Sequence, residues 1–476
     1  MWTKIADEKP AWAKKGEHLG ALPAIKRLWP TLFAEEVYAA IGRDIGRFVV
    51  STHTMALAYQ IDRWLKRGGL TTEDFSKSCD KVKIESVALP RRIVLGYQDN
   101  PALKVAKRLP FLLDVARESD DEKAYEHAKK LVSATLVKGI EDKEEIKLET
   151  YYALLLMDGD RMGKILSGED EKTAITYRES FHPQVQRGFD VHAEKQAHIK
   201  DYGSQKRAVS PGRHLAISSS LNDFLQTVAR YVVEEEHLGR VIYSGGDDVL
   251  AMLPVADLLS AMQRLRDAYC GAVPKDEKVD WGDLKKCNSL VCKNGFAYLR
   301  GRLMRMMGKN ATASCGAVIA HHQAPLGAVM RELRAAEQRA KTEAGRNAFS
   351  ITVIKRSGGA LQLTAKWGEP LALMNDVRRF LSEKGVSRRA VYNTLEWLTN
   401  LPNPKENPQM LESLLAYQLA RQAQGKELKK RGCDLASRLT RLASEHPGES
   451  LMWLANFLSV AEFLAREVRS GEGGAA

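Results

Sequence analysis

Hydrophobic residues recur at helical spacing through the first 150 residues of the chain. From Pro30 to Leu65 there are few helix breakers, and apolar residues return every three or four positions, which predicts helix throughout this segment. Residues 118–147 are instead dense in both charge signs, which is typical of a solvated helix or connector. The pattern predicts an N-terminal helical domain over residues 1–150.

The pattern changes at Tyr151, where seven apolar residues run without a break to Met157. Such a run is typical of a strand buried on both faces. Two further apolar runs, at residues 241–243 and 249–253, flank a glycine-rich turn and predict a hairpin. The following segments are predicted as helices over 214–236, 255–270 and 325–344, an irregular insert over 271–311, and strands over 313–320 and 349–354.

The resulting order, β-α-β-β-α-β-α-β, is close to a ferredoxin-like or polymerase-palm arrangement. In such a sheet the first strand lies antiparallel to the second strand of the hairpin, so the end of one and the hairpin turn share a sheet edge. From Glu369 onward the pattern is helical again. The predicted class is α+β: a ferredoxin-like polymerase/cyclase palm over residues 151–368, flanked by α-helical domains over 1–150 and 369–476.

Composition narrows the class of protein to which this fold belongs. The 476 residues are 44% hydrophobic and 28% charged, as in ordinary soluble proteins, and six cysteines are too few for a disulfide scaffold. No apolar run approaches the roughly 20 residues that span a bilayer, and no signal peptide is evident. We therefore expect a cytoplasmic protein without membrane contact. The net charge of +12 suits a protein that handles RNA or nucleotides, although many cytosolic proteins without such a partner are equally basic.

Two acidic clusters end predicted strands. Asp158-Gly159-Asp160 follows the first strand, and Ser244-Gly245-Gly246-Asp247-Asp248 forms the hairpin turn. The predicted sheet brings Asp158, Asp247 and Asp248 together, where like charges repel and a divalent cation such as Mg²⁺ or Mn²⁺ would relieve the repulsion. Each cluster alone is more typical of an ordinary turn. Their placement at one edge favours a site for two divalent ions.

Cationic residues close the helix before the last predicted strand. Lys341 and Arg346 are candidates for contacting a triphosphate, the first as a point charge and the second as a fork. The alternative is a helix C-terminus that favours cations and is capped by Gly345.

Five segments in order resemble a known family: MDGDRMGKILSG, SPGRHLAISSSLNDF, VIYSGGDDVLAMLP, ATASCGAVIAHHQAPL and AKTEAGRNAFSITVIKRSG. Together they resemble the second palm domain of the large, polymerase-like subunit of type III CRISPR effector complexes, of which the Cmr (III-B) subtype is the most similar. The last hundred residues resemble that family's C-terminal helical domain.

The resemblance implies an enzyme that makes cyclic oligoadenylates from ATP once a guide RNA has paired with its target RNA. It implies a multi-subunit ribonucleoprotein with backbone and small subunits as partners. Asp158, Asp247 and Asp248 would then be catalytic and hold two divalent ions. The nucleotide contacts it implies are Gly159, Ser244, Gly245 and Gly246, with Lys341 and Arg346 near the phosphates.

The sequence also departs from that family. Its members carry a His-Asp nuclease domain, a first palm and a cysteine-rich zinc module, whereas this sequence has neither a His-Asp dyad nor a Cys-x-x-Cys pair. We expect a C-terminal half whose first palm comes from a second copy or a separate chain. Two alternatives stay open: a catalytically silent scaffold subunit, and a GGDEF-like synthase that makes a cyclic dinucleotide from GTP. Against the latter, Val249 follows Asp248 where Glu-Phe is expected.

Overall fold

The computed structural model describes residues 1–8, 13, 16–42, 49–71, 73–81, 87–118, 121–140, 146–398 and 400–469. Up to residue 150, the regular elements within these ranges are all helices. They are α1 (Trp2–Glu8), α2 (Ala21–Ile41), α3 (Thr52–Lys66), α4 (Glu73–Lys81), α5 (Arg91–Gly96), α6 (Ala102–Ala106), α7 (Leu109–Glu118) and α8 (Glu122–Leu136).

The helix predicted through residues 30–65 is two helices. Helix α2 ends at Ile41, because Gly42 adopts a left-handed backbone with φ of 65°. Helix α3 begins at Thr52, where the Ser51 hydroxyl accepts a hydrogen bond from the Thr54 amide at 3.0 Å. Residues 43–48 of the predicted helix lie outside the described residues.

In the described part of the charged segment over residues 118–147, the expected helix is confirmed as α8, but this helix is not fully solvated. It buries Ala128, Val132 and Leu136 in the core formed by the N-terminal helices. The charged residues lie on the other side of the helix. The helix is therefore amphipathic, although its apolar stripe of three residues is hard to see among so many charges.

A six-stranded mixed sheet forms the centre of the molecule. The strands are β1 (Tyr151–Gly159), β2 (Arg240–Gly245), β3 (Asp248–Pro254), β7 (Ala313–His321), β8 (Ala348–Ile354) and β9 (Ala360–Lys366). Their order is β2-β3-β1-β7-β8-β9, in which β1 is antiparallel to both β3 and β7, and β7 is parallel to β8. The pairing of the first strand with the hairpin's second strand is confirmed.

Both faces of this sheet are covered, which explains the unbroken apolar run of β1. Tyr152 and Leu154 point into a core shared with the N-terminal helices, whereas Ala153, Leu155 and Met157 point into a core shared with later helices. Successive side chains of a strand alternate between faces, so a strand between two helical layers needs apolar residues at every position.

The remaining helices lie after β1. Within the palm they are α9 (Met162–Ser167), α10 (Pro183–Lys195), α11 (Ala197–Ser204), α12 (Pro211–Asp223), α13 (Ala229–Tyr231), α14 (Leu258–Cys270) and α15 (Leu326–Thr342). Helices α12 and α13 are joined and extended by two π-helical turns, Phe224–Val228 and Val232–Glu236. The C-terminal helices are α16 (Glu369–Ser382), α17 (Arg389–Leu398), α18 (Pro408–Arg421), α19 (Lys426–Glu445) and α20 (Ser450–Arg469).

Four strands of the structure were not predicted from the sequence. The insert over residues 271–311 is not irregular, since it contains a separate antiparallel sheet of β4 (Val291–Lys293), β5 (Phe296–Leu299) and β6 (Arg302–Arg305). These strands are three or four residues long, too short for an alternating pattern to stand out. The edge strand β9 buries only Leu363 and Ala365. The α+β class is confirmed, and no described helix has the length and apolar character needed to cross a membrane.

Candidate active site

The hairpin turn and the end of β1 meet at one edge of the sheet. Pairing of Met157 with Val249 carries the register to the ends of both strands, so Asp158 lies beside the start of β3. Gly246 adopts a φ of 70°, a conformation that most other residues would strain to reach. The Ser244 hydroxyl donates to the Leu225 carbonyl at 2.9 Å and so ties the hairpin to the neighbouring π-helical turn.

Asp158, Asp247 and Asp248 converge as the topology predicted. One carboxylate oxygen from each lies within 4.8 Å of the others, and all three residues are partly buried. Three oxygens at this spacing match the hard ligands that Mg²⁺ and Mn²⁺ prefer, with the exposed side left for water or phosphate oxygens. The donor set therefore fits the predicted divalent ions.

Electrostatics within this cluster favour a bound proton or cation. Burial, followed by the charge of Asp158, raises the pKa of Asp247. Burial, followed by a hydrogen bond with Asp158 and the charges of Asp158 and Asp247, raises the pKa of Asp248 to about 7. Three carboxylates this close cannot all ionise without cost, so near neutral pH the metal-free cluster retains a proton part of the time.

Lys341 lies against the acidic cluster itself. Its ammonium forms ion pairs with Asp158 and with Glu337, which lies one turn earlier on α15. Burial opposes the charge, but hydrogen bonds to these two carboxylates outweigh it and raise the pKa of Lys341. Lys341 was predicted from the sequence, whereas Glu337 was not, although its spacing of four residues from Lys341 along one helix is a signal for an ion pair.

Asp160 belongs to a different environment from Asp158. It is only 2% exposed and accepts hydrogen bonds from the Thr312 hydroxyl, the Ser314 hydroxyl and the Asn347 amide at 2.7, 2.7 and 2.8 Å. These donors come from the two segments that flank it, the start of β7 and the turn before β8. The side chain is therefore a structural tie rather than part of the cluster.

Arg346 lines a cavity of about 200 Å³ beside this tie. Its guanidinium lies 3.9 Å from Asp160, and its backbone is left-handed with φ of 67°. The Lys366 ammonium donates to the Arg346 carbonyl at 2.6 Å and holds this turn. Arg161 and Lys172, which were not selected from the sequence, also line the cavity, together with Asp160 and Asp170, so cationic groups outnumber acidic ones there.

The predicted glycines differ in what surrounds them. A Cβ on Gly159 would lie 2.6 Å from the Tyr269 hydroxyl, so close packing alone requires glycine there. A Cβ on Gly245 would lie 2.8 Å from the Tyr243 hydroxyl, whereas nothing lies within 4 Å of one on Gly246. Only the surroundings of Gly246 leave open space at the tip of the turn, and the nucleotide contacts of all three stay predictions.

The raised pKa of Asp248 predicts how metal-free stability depends on pH. Unfolding lowers its pKa to the ordinary value near 3.8, so between about pH 4 and pH 7 the folded state binds more protons. The free energy of unfolding should therefore fall as the pH rises through this window. The measured quantity is the melting temperature of Asp248→Asn minus that of the wild type, in EDTA. We expect this difference to increase by a few degrees between pH 4.5 and pH 7.5. A constant difference between the two proteins would contradict the shift.

An antiparallel hairpin with carboxylates at its turn, beside a buried strand ending in another carboxylate, defines a palm of the polymerase and nucleotidyl-cyclase class. Comparison with known families places it further. Residues 151–350 match the family described as Cas10/Cmr2, second palm domain.

Two curated relatives are also similar to this chain. The chain is 28% identical over 280 residues to the CRISPR system Cmr subunit Cmr2 of Pyrococcus furiosus, a match that covers 58% of this chain and 26% of the relative. It is 35% identical over 121 residues to the Cmr2 subunit of Saccharolobus solfataricus, covering 25% of this chain and 10% of that protein. The matched parts thus span about a quarter or less of these longer relatives.

Solved structures show that the likeness of fold extends beyond the palm. A type III-B Cmr-beta structure in the apo state superposes with a TM-score of 0.59 at 15% identity, over 90% of this chain and 50% of the other. Cmr-beta bound to cognate target RNA gives a TM-score of 0.62 at 14% identity, over 96% and 54%. This chain, including its helical ends, therefore has the fold of about half of the matched chain in each of those structures.

Proposed function

We propose that this chain is the nucleotidyltransferase subunit of a type III-B CRISPR complex, and that it converts ATP to cyclic oligoadenylates when target RNA is bound. The observation that carries the proposal is the convergence of Asp158, Asp247 and Asp248 within 4.8 Å at the tip of a palm hairpin. In a scaffold, three mutually repelling carboxylates at a partly exposed edge would lower the stability without a compensating function.

Each residue then has a role that its position supports. Asp158, Asp247 and Asp248 would hold the divalent ions, which when bound activate the attacking 3′-hydroxyl and stabilise the leaving pyrophosphate. Gly246 leaves room for the nucleotide at the turn. Arg346, with Arg161, Lys172 and Lys366 around the same cavity, would neutralise the triphosphate.

The partners follow from the relatives. The curated relatives are Cmr subunits, and one similar structure is a Cmr complex bound to cognate target RNA. We propose that this chain likewise acts in the cytoplasm, within a ribonucleoprotein of guide RNA, backbone subunits and small subunits. A first palm, from a second copy or a separate chain, would complete the pair of nucleotide sites.

The proposal is tested by incubating the full chain with labelled ATP and Mn²⁺, alone and with its guide-RNA complex and target RNA, and resolving the products. Cyclic oligoadenylates that depend on target RNA are the expected result. A parallel reaction with GTP separates the GGDEF-like alternative, which would show a cyclic dinucleotide instead. The reactions are repeated with a separate first-palm chain added, and ATP binding without product in every combination would then overturn synthase activity and leave the scaffold role.

A further inference from the structure

The ammonium of Lys341 lies between two carboxylates of different kinds. Asp158 belongs to the proposed metal cluster, whereas Glu337 lies outside it, on the same helix as Lys341. The side chains of Lys341, Asp158 and Glu337 are 19%, 18% and 13% exposed. All three charges are thus largely withdrawn from water, where losing a partner costs far more than on the surface.

The contact between α15 and the sheet fixes Glu337 in this position. At Gly316 on β7 an added Cβ would lie 2.4 Å from the backbone nitrogen of Glu337, so the helix backbone rests directly on the strand. The neighbouring residue Cys315 is fully buried, and its pKa is raised by burial and then by the charge of Glu337. Glu337 therefore faces the sheet and cannot turn freely toward solvent.

An ordinary helical ion pair does not explain this arrangement. Glu73 and Lys77 have the same spacing of four residues on α4, but their side chains are 89% and 70% exposed and their charged atoms are 3.6 Å apart. Pairs of that kind contribute little, because water screens them. The Glu337–Lys341 pair is instead largely buried, and Lys341 also forms an ion pair with Asp158. Glu337 therefore affects how strongly Lys341 is held by Asp158.

We propose that Glu337 is a positioning residue, which holds the Lys341 ammonium when Asp158 releases it to coordinate a divalent ion. With Glu337 present, Lys341 keeps an anionic partner after leaving Asp158, so the exchange leaves no uncompensated charge. Without Glu337, Asp158 is the ion-pair partner that remains to the ammonium among the described residues, so Lys341 competes with the metal for it. This inference rests on the metal site of the proposed function and adds a determinant of its affinity.

A double-mutant cycle on Mn²⁺ affinity tests the proposal. Free Mn²⁺ is measured by electron paramagnetic resonance on the full chain without nucleotide, so the readout is independent of catalysis. We expect Glu337→Gln to weaken Mn²⁺ binding about tenfold and Lys341→Met to strengthen it several-fold. In the Lys341→Met background, the additional Glu337→Gln change should have no effect. The exposed counterpart Glu73→Gln should match the wild type throughout.

The outcomes separate this inference from the function on which it rests. If Glu337→Gln weakens binding equally with and without Lys341, then Glu337 acts on the metal through its own charge and the positioning role is wrong. An unchanged affinity in Glu337→Gln would also overturn it. If neither the wild type nor Lys341→Met binds Mn²⁺, the metal site fails and this inference with it. Should Glu337→Gln not fold, Lys341→Met alone decides, since unchanged or weaker binding there contradicts competition.

Discussion

Replacing Asp247 and Asp248 together by alanine should abolish Mn²⁺ binding and reduce nucleotidyl transfer on the order of a thousandfold or more. Both carboxylates belong to the cluster of three, and Asp158 alone cannot hold an ion in that position. The same change should not destabilise the metal-free protein. Both side chains are partly buried and have pKa values raised above the ordinary range, which means that ionising them costs folding free energy.

This combination of outcomes separates a metal site from a structural turn. Product formation, Mn²⁺ affinity and the melting temperature in EDTA would be measured on the same preparations. The matched control is Glu73→Ala with Asp74→Ala, which removes two adjacent exposed acids and the same net charge from α4. If the Asp247/Asp248 variant formed product at the wild-type rate, the synthase proposal would fail. A large loss of melting temperature in EDTA would instead indicate that the two acids stabilise the turn.

Convergence of the three acids could be predicted because strand order fixes it. The unbroken apolar run of β1 and the hairpin are strong local signals, and antiparallel pairing of β1 with β3 leaves no other place for their ends. The domain boundaries at residues 150 and 368 are less constrained by local pattern and stay predictions. So do the catalytic and nucleotide-binding roles, since position at a sheet edge does not by itself show which atoms contact a substrate.

The surroundings of each acid could not be read from the sequence. Asp158 and Asp160 are the same amino acid two residues apart, yet they lie in different surroundings. Asp158 faces the cluster, whereas Asp160 accepts hydrogen bonds from donors about 150 and 190 residues later. Glu337 was missed for the same reason, because its importance comes from the close approach of α15 to Gly316. Local pattern determines elements, whereas such long-range partners depend on how the elements pack.

Asp158 and Asp160, at the end of β1, should therefore differ in how much stability is lost when each is replaced by alanine. Asp160→Ala should lower the free energy of unfolding by about 3 kcal/mol, because it leaves one buried and two partly buried donors without their acceptor. The donors are the hydroxyls of Thr312 and Ser314 and the amide of Asn347. Asp158→Ala should cost little, since Lys341 keeps Glu337 as a partner and repulsion within the cluster falls.

Urea unfolding in EDTA measures the first effect, and Mn²⁺ binding to the folded protein measures the second. We expect Asp160→Ala to unfold at lower urea with an unchanged slope, and the fraction that stays folded to bind Mn²⁺ with near wild-type affinity. Asp158→Ala should unfold like the wild type and bind Mn²⁺ at least tenfold more weakly. Equal stability losses in both variants would mean that Asp158 is a second structural tie. The cluster would then be reduced to the two acids of the hairpin, too few ligands for the proposed pair of ions.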